Sequence, residues 1–299
     1  FRPYMDYKSN TVKYTNISST NQIQITRSDG KGRHIIDIVP PTSSRCTLGV
    51  LLSPDGNGNT QLRHSVSKGK ELFGKFKNSS LSQCDKWVAL KSVIEPALLY
   101  PLVTTLYSTS AIHSLDSITS QMSCHALGLN RTFPRAMLHG STLLGGIGIL
   151  SSSQCNSKDR VNYFLYNIRQ KSTNCYKLEI SIIYTQLEIG LFDQFFDTSF
   201  QTYSHLASPS FCVQIWGELE DLGLSLRPSS TSTWTPEPLC SSDQPIMCLA
   251  CKLFSKKGSA KINRCRMFLK IISISDLRTS SGQIHPAYFT GHLPLGRVS

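Results

Sequence analysis

Near Asn59 the hydrophobic period of this 299-residue chain changes from two to between three and four. No other feature limits the fold as much, because a two-residue period belongs to strands and a 3.6-residue period to helices. Before the change, Thr11–Thr15 and Gln22–Thr26 alternate, and Ser28–Gly32 reads as a turn leading into a strand over His34–Val39. Pro40–Pro41 ends that strand, and Thr47–Leu52 is predicted as another short one, closed by the turn-forming run Pro54–Gly58. After the change, Leu62, Val66, Phe73 and Phe76 form one helical stripe that stops near Asn78–Ser80. Ser82 or Ser80 then caps a second helix through Trp87, Val88, Leu90, Val93 and Ile94, with Pro96 as a kink. A third helix is expected over Thr109–Leu127, stopped by Gly128. Gly140–Gly148 reads as a turn before a short strand. Helices follow at Lys158–Gln170, Cys175–Gly190, Phe211–Leu222, Ile246–Phe254 and Ala260–Ile272. The fold class expected is α+β. A β-rich segment spans 1–52, a helical domain 53–150, and a mostly helical domain 151–299 with a Pro/Ser/Thr-rich loop near 227–245.

Hydrophobic residues make up 39% of the chain and charged residues 17%, a balance that suits a globular protein. The longest nearly apolar run, Pro96–Tyr107, is too short to cross a bilayer, so no membrane partner is expected. The chain opens on Phe1 without a signal-peptide pattern, and reads as part of a longer frame that remains intracellular, nuclear or cytoplasmic. Thirty-one Lys and Arg against nineteen Asp and Glu leave a net charge of +12. That excess favours an anionic partner, although a basic protein with no polyanion partner has the same composition. The ten cysteines lack the spacing of a disulfide framework and read as reduced.

Two basic clusters are candidates for phosphate contact. On the helix starting at Asn59, Arg63, Lys70 and Lys77 fall seven apart on one flank, and Lys68 and Lys75 on the other. Such rails neutralise phosphates without reading bases. A solvated face with Glu71 as partner is the competing reading. Near the C-terminus, Lys256, Lys257, Lys261, Arg264, Arg266 and Lys270 occur with no acid among them. Met267, Phe268 and Ile271 suggest that this helix docks through an apolar side and leaves the basic side wet. Cys248 and Cys251, with Cys265 beyond, have no fourth ligand at zinc-finger spacing and read as structural. His113, His125 and His139 lack a nucleophile-elbow context, and no phosphate-binding helix start follows Gly145–Gly148.

Phe133–Gly140 and Gly145–Ile149, taken with Cys46–Asn57, Ile94–Pro101, His205–Ala207 and Ile262–Leu269, resemble the region beyond the polymerase active site in reverse transcriptases of non-LTR retroelements, especially those of protist and algal genomes. The resemblance runs from about Ser44 to about His285 and rests on the order and spacing of the blocks. It implies that 1–52 is the edge of a palm, that 53–150 is a thumb lying along a template–primer duplex, and that the chain is the C-terminal portion of an RNA-directed DNA polymerase. It also implies RNA or an RNA–DNA duplex as partner, contacted by Arg63, Lys68, Lys70, Lys75, Lys77, Lys261, Arg264 and Lys270. A catalytic N-terminal half carried elsewhere is a further partner that it allows. Leu48 and Gly49 match the strand that supports the primer, although Thr47 stands where the family usually has Tyr. The family's two-metal chemistry needs clustered aspartates, and this chain contains no Asp-Asp pair. The nearest imitation, Tyr4-Met5-Asp6-Tyr7, places Tyr at the second acidic position. No catalytic residue, cofactor or metal is therefore expected in this chain, and Mg²⁺ belongs to an intact parent polymerase alone. The alternative is a helical scaffold or interaction protein with no nucleic-acid role.

Overall fold

Strands occupy the start of the chain and helices the remainder, so the protein belongs to the α+β class. The computed structural model describes residues 2–6, 11–15, 23–26, 33–36, 40–107, 109–171, 173–226, 235–279 and 281–284, with 2–36 and 109–111 described by backbone alone. The expected turn at 28–32, the strand end at 37–39, Tyr7 and residues 227–234 of the loop expected near 227–245 lie outside the described residues. The chain divides into two compact units, 1–156 and 157–299.

Among the described residues, the first unit opens with three separate antiparallel hairpins. They pair β1 (Arg2–Asp6) with β2 (Thr11–Thr15), β3 (Ile23–Thr26) with β4 (Arg33–Ile36), and β5 (Arg45–Thr47) with β6 (Val50–Leu52). The third corrects an expectation. Thr47–Leu52 is not one strand, because Leu48 and Gly49 form the two-residue connection of a hairpin with φ of 52° and 81°. Left-handed geometry at both positions suits a tight hairpin and requires glycine or a tolerant residue. The Leu51 N–H donates to Gln61 Oε1 at 2.6 Å, which ties this hairpin to the first turn of the helix that follows.

That helix, α1 (Asn59–Lys77), presents Leu62 and Phe76 to a core completed by α2 (Gln83–Ala89), α3 (Glu95–Leu99) and α4 (Thr109–Ala126). Ser82 caps α2 by accepting from the Asp85 N–H. Between α2 and α3 the helix widens into a π-turn at Leu90–Ile94, closed by the Glu95 N–H donating to the Leu90 carbonyl. Pro96 explains the widening: it has no N–H to donate, and its ring crowds the carbonyl four residues back. Gly128 ends α4 with φ of 68°. After α5 (Arg135–His139), the glycine-rich segment forms turns as expected, but the short strand expected after it does not form. Its amides turn inward: Ile147 N–H donates to the Met137 carbonyl, Gly148 N–H to Gly140 and Ile149 N–H to Leu138. They supply the last carbonyls of α5 with donors, while Leu138 and Ile149 fill a small core with Cys124.

The unit boundary falls inside α6 (Ser152–Gln170). The second unit continues with α7 (Thr173–Ile189), α8 (Phe200–Tyr203), α9 (Phe211–Asp221), α10 (Ile246–Leu253) and α11 (Lys256–Leu269). Trp216 anchors its core. The indole is 1% exposed, lies edge-on to Phe195 and Phe200, and donates from Nε1 to the Thr198 carbonyl at 2.9 Å. The aromatic edges and the paired N–H give a large side chain one defined seat. No helix of the described residues is long and apolar enough to cross a membrane.

A buried ion pair joins α6 to α9: Arg160, fully buried, donates to Glu218 Oε1 at 2.5 Å. Burial pushes the Glu218 carboxyl above its ordinary range, against the opposing pull of Arg160. Replacing Arg160 with Leu leaves that carboxylate buried without its counter-charge, with only the Gln214 amide donating to it, and should cost about 3–5 kcal/mol in chemical denaturation. The carboxyl's folded-state pKa then rises further above its unfolded value of about 4.3. A raised folded-state value means that stability is greatest on the acid side and is lost as pH climbs through it. Arg160→Leu should therefore regain part of its lost stability between pH 7 and pH 5, measured relative to the wild type.

Candidate nucleic-acid interface

Helix α1 forms because its apolar and small residues recur at helical spacing, and the burial pattern divides it lengthwise. Gln61, Leu62, Ser65, Gly69 and Phe76 are buried, whereas Arg63, His64, Lys68, Lys70, Glu71, Lys75 and Lys77 are exposed. At 3.6 residues per turn the cations form two rows. Arg63, Lys70 and Lys77 repeat about every 10.5 Å along the axis, and Lys68 and Lys75 do the same on the other side. Between the rows run Thr60, Ser67 and Gly74, all exposed, and nothing lies within 4 Å of where a Cβ would stand at Gly74. The exposed His64 and Glu71 also fall between the rows, so the edges of the face are cationic and its middle carries the one acid.

The face carries one acid. Lys75 Nζ reaches Glu71 Oε1 at 2.6 Å, and this hydrogen bond, together with the lysine's charge, lowers the carboxyl's pKa. An exposed pair of this kind is weak. Among the described residues Arg63, Lys68, Lys70 and Lys77 have no carboxylate within ion-pairing distance. Lys75 and Lys77 occupy the last turn, where cations also suit the helix dipole. Arg63, Lys68 and Lys70 lie too far from that end for the same explanation.

The second cluster is arranged differently from its sequence reading. Helix α11 packs through a polar side, with Ser259, Asn263 and Arg266 buried, while Phe268 is 74% and Met267 44% exposed. Arg266, read from sequence as part of a wet basic face, is 3% exposed. Its guanidinium donates to the carbonyls of Leu187 and Glu188 at 2.7 and 2.9 Å, to the Ile271 carbonyl at 3.2 Å, and to Asn263 Oδ1 at 2.8 Å. Asn263 Nδ2 donates to the Glu188 and Leu206 carbonyls. These residues satisfy the C-terminal end of α7, whose carbonyls lack partners within their own helix. Burial pulls the Arg266 pKa down to about 10, which leaves it cationic at neutral pH.

The exposed side of α11 carries Lys257, Lys261, Arg264 and Phe268 at spacings of four, three and four, which is a single stripe. Lys270 is not on it. That residue is the C-cap, in the left-handed conformation with φ of 55°. The α1 rows belong to the first unit and the α11 stripe to the second.

Leu48 and Gly49, matched from sequence to a strand that supports a primer, instead form a hairpin tip, with Leu48 90% exposed. A Cβ at Gly49 would meet nothing within 4 Å, so the positive φ there and not a close approach calls for glycine. Asp6 ends β1 opposite Thr11. Cys248 and Cys251 pack partly buried against the second core and Cys265 is exposed. Among the described residues no group of three His, Cys, Asp or Glu side chains could hold a metal ion. His139 bridges the Ile149 carbonyl through Nδ1 at 2.7 Å and the Ser120 hydroxyl through Nε2 at 3.0 Å, so the ring fastens the glycine-rich segment to α4.

Two pairs of the sequence blocks meet, one neighbouring in the chain and one distant. Segment 133–140 bonds to 145–149. Block 205–207 meets α11, where His205 Nε2 lies 2.7 Å from Ser259 Oγ. No protein-family model, curated protein or solved structure matches the chain.

Two arginines two residues apart therefore have opposite roles. Arg266→Gln should lower stability by about 3 kcal/mol, because buried carbonyls lose a charged donor. Arg264→Gln should stay within about 0.5 kcal/mol of wild type. Thermal and urea unfolding of the two variants measure the difference directly.

Proposed function

We propose that the chain is a non-catalytic portion of an RNA-directed DNA polymerase of the non-LTR retroelement type, and that it holds an RNA–DNA duplex through phosphate contacts. The observation that carries this reading is the exposed face of α1, where five cations stand in two rows against one acid. Regular rows of cations match a sugar–phosphate backbone, which presents regular negative charge and asks for no base recognition. The order of the sequence blocks supports the family, and the net charge of +12 supports the partner class. The α11 stripe adds a second surface of the same chemistry, with Phe268 as an exposed aromatic among cations.

Salt titration tests the reading. Affinity for an RNA–DNA duplex should fall linearly on a log–log plot against salt, with little sequence preference. Changing Arg63, Lys70 and Lys77 together to Gln preserves helix propensity and should flatten the slope by about one unit per lost contact. Lys261, Arg264 and Lys270 changed to Gln form the comparison. Binding that survives the first set and is abolished by the second would move the interface to the C-terminal cluster. Absence of duplex binding by the wild type at low salt would favour the scaffold reading.

The same preparation should not extend a primer with Mg²⁺ or Mn²⁺, because the two-metal mechanism needs a carboxylate cluster and this chain has no Asp-Asp pair. Template-dependent incorporation above a mock-purified control would refute this and direct attention to Asp6.

A further inference from the structure

At the C-terminal end of α1 the basic row leads into a recess of about 200 Å³. Phe73 and Leu129 supply apolar walls, Gln121 and His125 are half-buried, and Lys77 and Arg131 are exposed. No acid lines the recess. The volume falls below the range of about 300–1,000 Å³ typical of clefts for drug-sized ligands, so it suits a single ring system.

The hydrogen-bonding groups are already oriented. Lys86 Nζ lies 3.3 Å from His125 Nε2, and an ammonium can only donate, so Nε2 accepts and Nδ1 carries the ring proton. The ring is further held edge-on against Phe76, with centroids 5.9 Å apart. Gln121 donates from Nε2 to the Ser117 hydroxyl at 3.3 Å, which leaves its amide oxygen as an acceptor. The recess thus combines apolar walls, one donor, one acceptor and two cations at the mouth. A nucleobase with its own phosphate presents the complementary set: a flat apolar face, an edge of donors and acceptors, and an anion beside it.

We infer that this recess receives one unpaired nucleobase extruded from the duplex, with Lys77 and Arg131 taking the adjoining phosphate. The inference rests on the duplex-holding reading above, because Lys77 belongs both to the recess and to the row that tracks the backbone. Phe73 and Leu129 replace the stacking lost on extrusion, and Gln121 and His125 engage the base edge.

Three RNA–DNA duplexes of equal length test it by fluorescence anisotropy: one fully paired, one with a single bulged nucleotide, and one with an abasic residue at the bulge. Base stacking of this kind should make the bulged duplex bind about tenfold tighter than the other two. Arg131→Gln and Gln121→Leu each leave the fully paired duplex bound as in wild type and should reduce the preference. Equal affinity for the base and abasic bulges overturns the inference while leaving the duplex reading intact. A preference that persists undiminished in both variants overturns it as well, because the base must then be seated elsewhere. If the fully paired duplex does not bind at low salt, the duplex reading falls and this inference falls with it.

Discussion

Helix α7 ends inside the second unit, where its last carbonyls cannot all turn to water, and the donors that satisfy them come from a helix more than seventy residues further along the chain. Arg266 and Asn263 of α11 reach the carbonyls of Leu187 and Glu188. Gly190, with φ of 66°, leaves room for this: a Cβ there would lie 2.5 Å from the Arg266 guanidinium carbon. Gln186 completes the arrangement by donating to the Leu191 and Asp193 carbonyls and accepting from the Phe195 N–H. An unpaired buried carbonyl costs about as much as a lost hydrogen bond. The position and rotation of α11 therefore match where the carbonyls of α7 lie.

The first unit meets the same constraint with uncharged groups. The carbonyls of Met137, Leu138 and Gly140 take amides from the glycine-rich segment, and His139 binds that segment from the other side. Gln61, 1% exposed, spans the gap between the β5–β6 hairpin and α1, accepting from Leu51 and donating to Ser65. Gln61 is buried because the Leu51 N–H beside it needs a partner. The exposed Leu143 and Leu144 at the tip of the glycine-rich segment take no part in that network.

This division of labour bears on the proposed interface. Charge count alone makes the two basic clusters equivalent. The packing separates them, because α1 keeps all five of its cations outside while α11 commits Arg266 to the interior. Both helices keep cations outside at similar density, five over the 19 residues of α1 and Lys256, Lys257, Lys261 and Arg264 over the 14 of α11, but only on α1 do they form two rows. The α1 face also leads into a recess whose polar groups are oriented by neighbours outside it, Lys86 on one side and Ser117 on the other.

Sequence by itself determined the α+β class, the start of the helices near Asn59 and the stop at Gly128, and it narrowed the cap of α2 to Ser80 or Ser82, of which the structure uses Ser82, because period and capping are properties of neighbouring residues. It also determined which half of α1 is basic, since that helix buries its apolar stripe in the ordinary way. Only the tertiary structure decided that α11 turns its polar side inward and leaves Phe268 outside, that Leu48 and Gly49 are a hairpin tip, and that Phe73, Gln121 and Arg131 share one recess. An amphipathic pattern records how many apolar residues a helix offers but not which carbonyls await it. Those of Leu187, Glu188 and Leu206 lie 57 to 79 residues from the side chains that satisfy them, beyond the reach of any local pattern.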